Sequence, residues 1–169
     1  QRQTFERHPM LSALSLLDAT WASSDTTRWS YPLLANEMLR KKIPIPDIRE
    51  LYKRMVFNAL IGNDDDHPKN HAFIYKNNQW RLAPLFDVVP NAEFYPTRLA
   101  MKIGDQGELI NRSNLLSMHA HFHLSKDEAI AIIDEIASWE DEIRGLYRKE
   151  LSPSDCMMVE RALDSKRLL

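Results

Sequence analysis

Gly62-Asn63-Asp64-Asp65-Asp66-His67-Pro68-Lys69-Asn70 is the stretch on which the reading of this chain turns. Within it fall three carboxylates, an imidazole, an ammonium and two amides. On its N-terminal side Ile48, Leu51, Tyr52, Met55, Ala59 and Leu60 recur at helical spacing, which predicts a strong helix over 46–61. Pro46 can open that helix, and Gly62-Asn63 can close it with a left-handed cap. On the C-terminal side, 71–76 and 80–86 read as two strands joined by Asn77-Asn78-Gln79. An acidic loop between a helix and a hairpin is most simply a solvated turn. The hairpin gives it a second meaning. With the turn centred near residue 78, Asn70 falls opposite residue 86 or 87, and residue 87 is Asp. Asp65, five residues before Asn70, lies on the adjoining loop. Three oxygen-bearing side chains are thereby expected at one spot. Such hard ligands suit Mg²⁺, which keeps several waters and shares itself with substrate phosphates.

The spacing Asp65-x-x-x-x-Asn70, followed by an Asp beyond a hairpin, has the logic of a phosphotransferase. In that logic the first Asp accepts the hydroxyl proton, and the Asn and second Asp hold metal against phosphate. The form Asp65-x-His67-x-x-Asn70 also resembles the catalytic loop of lipid and aminoglycoside kinases. Taken whole, the runs 55–73 and 80–90 resemble the HipA-like serine/threonine kinases, toxins of bacterial toxin–antitoxin pairs. The resemblance extends from about residue 30 to residue 145, through Leu99-Ala100-Met101-Lys102-Ile103 and the helix opening at Ser125. It implies a mainly helical, protein-kinase-like C-terminal lobe with a small β-hairpin, over residues 1–169. Asp65 then matches the catalytic base, and Lys69 a lysine that stabilises charge on the transferring group. Asn70 and Asp87 match the Mg²⁺ ligands. His67 is expected beside the nucleotide, bracing the loop rather than moving a proton. Asp64 departs from the family, which often has a small polar residue there.

The resemblance further implies Mg²⁺ and ATP as cofactors, and a protein substrate, in some relatives an aminoacyl-tRNA synthetase. It also implies a helix-turn-helix antitoxin through which operator DNA is reached indirectly, and a cytoplasmic setting. No G-x-G-x-x-G loop and no Val-Ala-Ile-Lys-like strand is present, so the lobe that would cover ATP is expected outside these residues. The chain alone is therefore expected to transfer phosphate poorly. Two rival readings stand beside this one: a kinase-derived binding module without activity, and a small-molecule or lipid kinase.

Composition agrees with an ordinary globular protein. The chain has 169 residues, of which 44% are apolar and 27% charged, and its formal charge is −2. That balance gives no global basic footprint for nucleic acid. Cys156 is the one cysteine, which excludes an internal disulfide and fits a reducing compartment. No apolar run reaches the length of a membrane span, and the polar start at Gln1–Arg7 has no signal-peptide pattern. Further helices are expected over 9–22, 32–41, 114–121, 125–148 and 153–167, with a break at 23–27 and irregular chain over 88–112. Ser125 with Glu128 is a capping box. His119, His121 and His123 are expected at a helix end rather than around a metal, Cys156 in the core, and Glu140-Asp141-Glu142 on a solvated face. Arg144 and Arg148 are expected to pair with Glu140 and similar carboxylates, and Trp21, Trp29, Trp80 and Trp139 to be scattered.

Overall fold

A computed structural model describes residues 7–22, 25–93 and 95–169. The expected polar start and the break at 23–27 lie partly outside them. About half of the chain is helical, and three short strands form one antiparallel sheet in the order β1-β2-β3.

The central element is α3 (Ile45–Ile61). Pro44 and Pro46 sit at its start, where their missing N–H groups cost no helical bond. Gly62 closes it at φ +69°, in the left-handed region. A Cβ at Gly62 would stand 2.7 Å from the Ala162 carbonyl oxygen, so glycine is needed for space as well as for φ. The expected apolar stripe is fully buried, but α3 is enclosed on more sides than one stripe allows. Arg54 and Asn58, expected largely outside it, are buried too. Arg54 donates to Ala83 O at 2.9 Å and pairs with Glu50 at 3.0 Å. Against α3 pack α2 (Tyr31–Arg40), α5 (Lys126–Ala137) and the short 3-10 turns at 119–122 and 165–168. Tyr31, Tyr52, Phe73 and Phe122 are the largest side chains removed from water. Each contributes on the order of 2–3 kcal/mol of burial before entropy is counted.

The hairpin forms with a tighter turn than expected. β2 (Ala72–Lys76) pairs with β3 (Gln79–Leu82) so that Lys76 faces Gln79. Asn77 and Asn78 alone make the turn, both with positive φ, as a two-residue hairpin requires. Continued, that register would set Asn70 opposite Leu85, not Asp87. β3 also ends early, because Pro84 cannot donate to the ladder beyond the Ala83 N to Ala72 O bond.

Five other expectations are corrected. The helix over 9–22 is instead strand β1 (Met10–Ser12) followed by one turn of helix, α1 (Ala13–Leu16). The open edge of β2 takes up Met10–Ser12, and the Ser12 side chain caps α1. The region 114–121 divides into α4 (Arg112–Ser117) and the 3-10 turn at 119–122. The long helix over 125–148 breaks after Ala137 into α5 and α6 (Glu140–Glu150), while its capping box forms as read. The helix over 153–167 ends early, as α7 (Pro153–Glu160), with the 3-10 turn Ser165–Leu168 after it. Glu140 is no solvated residue. It holds Arg144 at 2.6 Å and accepts from Ser165 N at 2.8 Å, joining α6 to the C-terminal turn. Arg148 pairs with Glu160 at 2.9 Å. No helix among the described residues is long and apolar enough to cross a membrane.

Candidate active site

The loop from Gly62 to Asn70 leaves the C-terminus of α3 and returns to the sheet through a 3-10 turn at Pro68–Asn70. Its residues divide by direction. Asp65 is exposed, whereas Asp66, one residue on, is 1% exposed. The Asn70 side chain donates to Asp65 O at 3.2 Å and so closes the loop on itself.

An open cleft of about 360 Å³ lies over this loop. Asp65, Asn70 and Asp87 all line it, together with Asn63, Asp64, Val89, Pro90 and Asn91. The three residues expected to converge therefore do so, but by a different route. Beyond Pro84 the chain leaves the ladder and Asp87 takes a left-handed conformation, φ +56°. Aspartate tolerates that region better than most non-glycine residues. The turn sends the chain back toward α3, where Asn91 N donates to Gly62 O at 2.9 Å. Asp64, the departure from the family pattern, accepts two hydrogen bonds from the Asn91 amide, at 3.0 and 2.8 Å. It thus ties the two walls of the cleft together.

The lining carries three carboxylates, three amides and no cationic side chain. Like charges brought together in this way favour a cation between them. Among the described residues no three His, Cys, Asp or Glu side chains gather closely enough to cage an ion. The donor set suits an ion held by a carboxylate and an amide oxygen that completes its shell with water and phosphate, as Mg²⁺ does.

Lys69 and His67 do not line the cleft. The Lys69 ammonium lies 3.5 Å from the centroid of the Trp21 ring. The His67 ring meets Trp21 edge-on at 4.7 Å and Trp29 at 6.3 Å, and Trp21 and Trp29 stack at 5.4 Å. These two tryptophans are not scattered, as expected, but form a platform beneath the loop. Their spacing in the chain carries no sign of it. His67 thus packs on this platform and is not among the residues lining the cleft.

A second feature leaves no pattern in the sequence. Buried Asp66 accepts from the Tyr31 hydroxyl and lies 2.9 Å from His71 Nε2. Tyr31 accepts from Asn58 Nδ2 at 3.0 Å, and Asn58 accepts from Asn63 Nδ2 at 3.2 Å. The three clustered histidines are dispersed: His119 bonds to Leu124 O at 2.8 Å, and His121 to Asn36 at 3.0 Å. Cys156 is buried, and burial together with Glu160 pushes its thiol pKa up.

The family model for the HipA-like C-terminal domain matches residues 1–143. The chain belongs to this family. Relatives of the HipA-like chain include a Haemophilus influenzae protein named "Putative kinase", 28% identical over 134 residues, 65% of this chain and 39% of that protein. A Sinorhizobium fredii protein of the same description is 34% identical over 73 residues, 40% of this chain and 17% of that one. A solved complex of Shewanella oneidensis HipA and HipB with operator DNA matches with a TM-score of 0.75 at 19% identity. That match covers 99% of the HipA-like chain and 44% of the solved one, and it supports the fold. The chain thus spans less than half the length of these relatives.

Proposed function

We propose that the HipA-like chain is the base- and metal-bearing helical lobe of a serine/threonine protein kinase, and that residues 1–169 act as one unit. The observation that carries this reading is the meeting of Asp65, Asn70 and Asp87 in one acidic cleft free of lining cations. In the reaction, Asp65 accepts the proton of a protein hydroxyl as its oxygen attacks the γ-phosphorus of ATP, and the bond to the β,γ-bridging oxygen breaks. Asn70 and Asp87 hold Mg²⁺, which neutralises phosphate charge when bound. Lys69 would have to leave Trp21 to reach the transferring group. Relatives named as kinases, and a structural neighbour crystallised with an antitoxin and operator DNA, support a toxin role with an antitoxin partner.

Calorimetric titration of Mg·ATP into the chain, beside Asp87→Ala, tests this. Binding that is present in the wild type and lost in Asp87→Ala supports the reading. Equal binding by both proteins overturns the assignment of Asp87. The placement of Lys69 outside the cleft favours a second reading, a kinase-derived binding module. On that reading Asp87→Ala leaves partner binding intact and no nucleotide binds.

A further inference from the structure

Asp66 sits between two residues directed elsewhere and is itself inside the protein. A buried carboxylate is costly unless its oxygens are satisfied. A carboxylate can only accept, and this fixes the sense of every bond that follows. The Tyr31 hydroxyl has one proton and gives it to Asp66. Its oxygen must then accept from its other neighbour, so Asn58 presents Nδ2 to it, at 3.0 Å. Asn58 is left with its oxygen toward Asn63, which in turn must present Nδ2, at 3.2 Å. Asn63 is 2% exposed, yet it lines the cleft. With one Nδ2 proton given to Asn58 and the nitrogen turned that way, the acceptor Asn63 has left for the cleft is its carbonyl oxygen.

We propose that Asn63, oriented by this chain of hydrogen bonds from Asp66, serves as a further oxygen ligand, direct or through water, of the divalent cation in the cleft. This rests on the reading of the cleft given above. The chain crosses α2, α3 and the loop, so the orientation is set by packed elements and not by the loop alone. A metal ligand fixed by outer hydrogen bonds in this way loses affinity when those partners are removed, typically by about 10–100-fold.

The test is titration of Mn²⁺ into the full chain, read by paramagnetic broadening of the backbone amide resonances of residues 62–70, with circular dichroism to verify folding. Asn63→Ala is expected to weaken Mn²⁺ about tenfold. Tyr31→Phe, which removes only the hydroxyl that sets the order, is expected to weaken it by a smaller factor. The double variant should lose no more than Asn63→Ala alone, because Tyr31 acts through Asn63. Wild-type affinity in folded Asn63→Ala, with affinity lost in Asp87→Ala, overturns this inference and leaves the cleft reading standing. Wild-type affinity in Asp87→Ala as well, or no broadening in the wild type, overturns both. Should Asn63→Ala fail to fold, unchanged affinity in Tyr31→Phe overturns the inference by itself.

Discussion

The ammonium of Lys69 rests 3.5 Å from the centroid of the Trp21 ring, and the same indole stacks on Trp29. A lysine of the candidate catalytic loop is thereby held on an aromatic platform supplied by the N-terminal segment. Trp21 is half exposed, so the cation–π contact is solvated and modest, about 0.5–1 kcal/mol. Lys69→Ala should lower stability by about that amount in urea denaturation. Trp21→Ala also removes the ring contacts with Trp29 and His67, and should cost about 1–3 kcal/mol. Equal losses from the two variants would mean that the aromatic packing contributes nothing beyond the lysine.

Ser125 caps α5 by accepting from Glu128 N at 3.2 Å, and the Glu128 side chain returns a bond to Ser125 N at 2.7 Å. Ser125→Ala leaves a helix N–H without its partner and should cost about 1 kcal/mol. The thermal midpoint should fall by a few degrees. An unchanged midpoint would show that solvent replaces the cap at no cost.

The sequence was most readable where local chemistry and tertiary packing agree. Pro46 in the first turn of α3, the left-handed Gly62 and the Ser125 box act within a few residues of themselves, and all three appear as expected. The helix over 9–22 failed because Met10, Leu11, Leu14 and Leu17 satisfy a helical stripe on paper. An edge of β2 far along the chain takes Met10–Ser12 as a strand. The break after Ala137 has no Gly or Pro to announce it. It is fixed by distant partners, since Glu140 must reach Ser165 N. In the site, Asp65 and Asn70 were legible from spacing. Asp87 lines the same cleft as Asp65 and Asn70 although the hairpin register is tighter than expected, because its left-handed turn, which no pattern signals, folds the chain back. The Tyr31–Asp66 bond and the Trp21–Lys69 contact join residues distant in the chain and leave no local trace.

Gly62 sits where α3 ends and the acidic loop begins, with φ +69°. An alanine Cβ there would meet Ala162 O at 2.7 Å and Ala162 Cβ at 2.9 Å. The neighbour is backbone, which cannot swing aside as a flexible side chain would. Conformational strain and the clash add, so Gly62→Ala should cost more than about 1 kcal/mol and lower the urea midpoint clearly. Gly145 has open space around the corresponding Cβ and lies within α6. Gly145→Ala should be neutral or stabilising, by up to about 1 kcal/mol. A Gly62→Ala variant as stable as Gly145→Ala would overturn the close-approach argument.

Asp47 joins the N-terminal turn of α3 to β3. Its two oxygens accept from Arg81 at 2.8 and 2.7 Å, and one also accepts from Leu82 N at 2.9 Å. Burial opposes the charge on Asp47, but the Arg81 and Leu82 hydrogen bonds outweigh it and hold its carboxyl pKa below the ordinary value. A folded-state pKa below the unfolded one means that the unfolded chain takes up the proton first as pH falls. The stabilisation is therefore fully present above the unfolded value, about 3.9, and is lost as pH drops through the folded one. Because the Arg81 side chain is half exposed, solvent screening keeps the contribution near about 1–2 kcal/mol. At pH 7 Asp47→Asn should be less stable than the wild type by about that amount in urea denaturation. Repeating the measurement at successively lower pH should begin to narrow the difference near the unfolded value, about 3.9, and close it only after the pH has dropped through the lower folded one, where the wild-type carboxyl protonates and the bridge loses its charge. A difference that stays constant from pH 7 to the acid range would mean that Asp47 acts by its shape and hydrogen bonds alone, with no part for its charge.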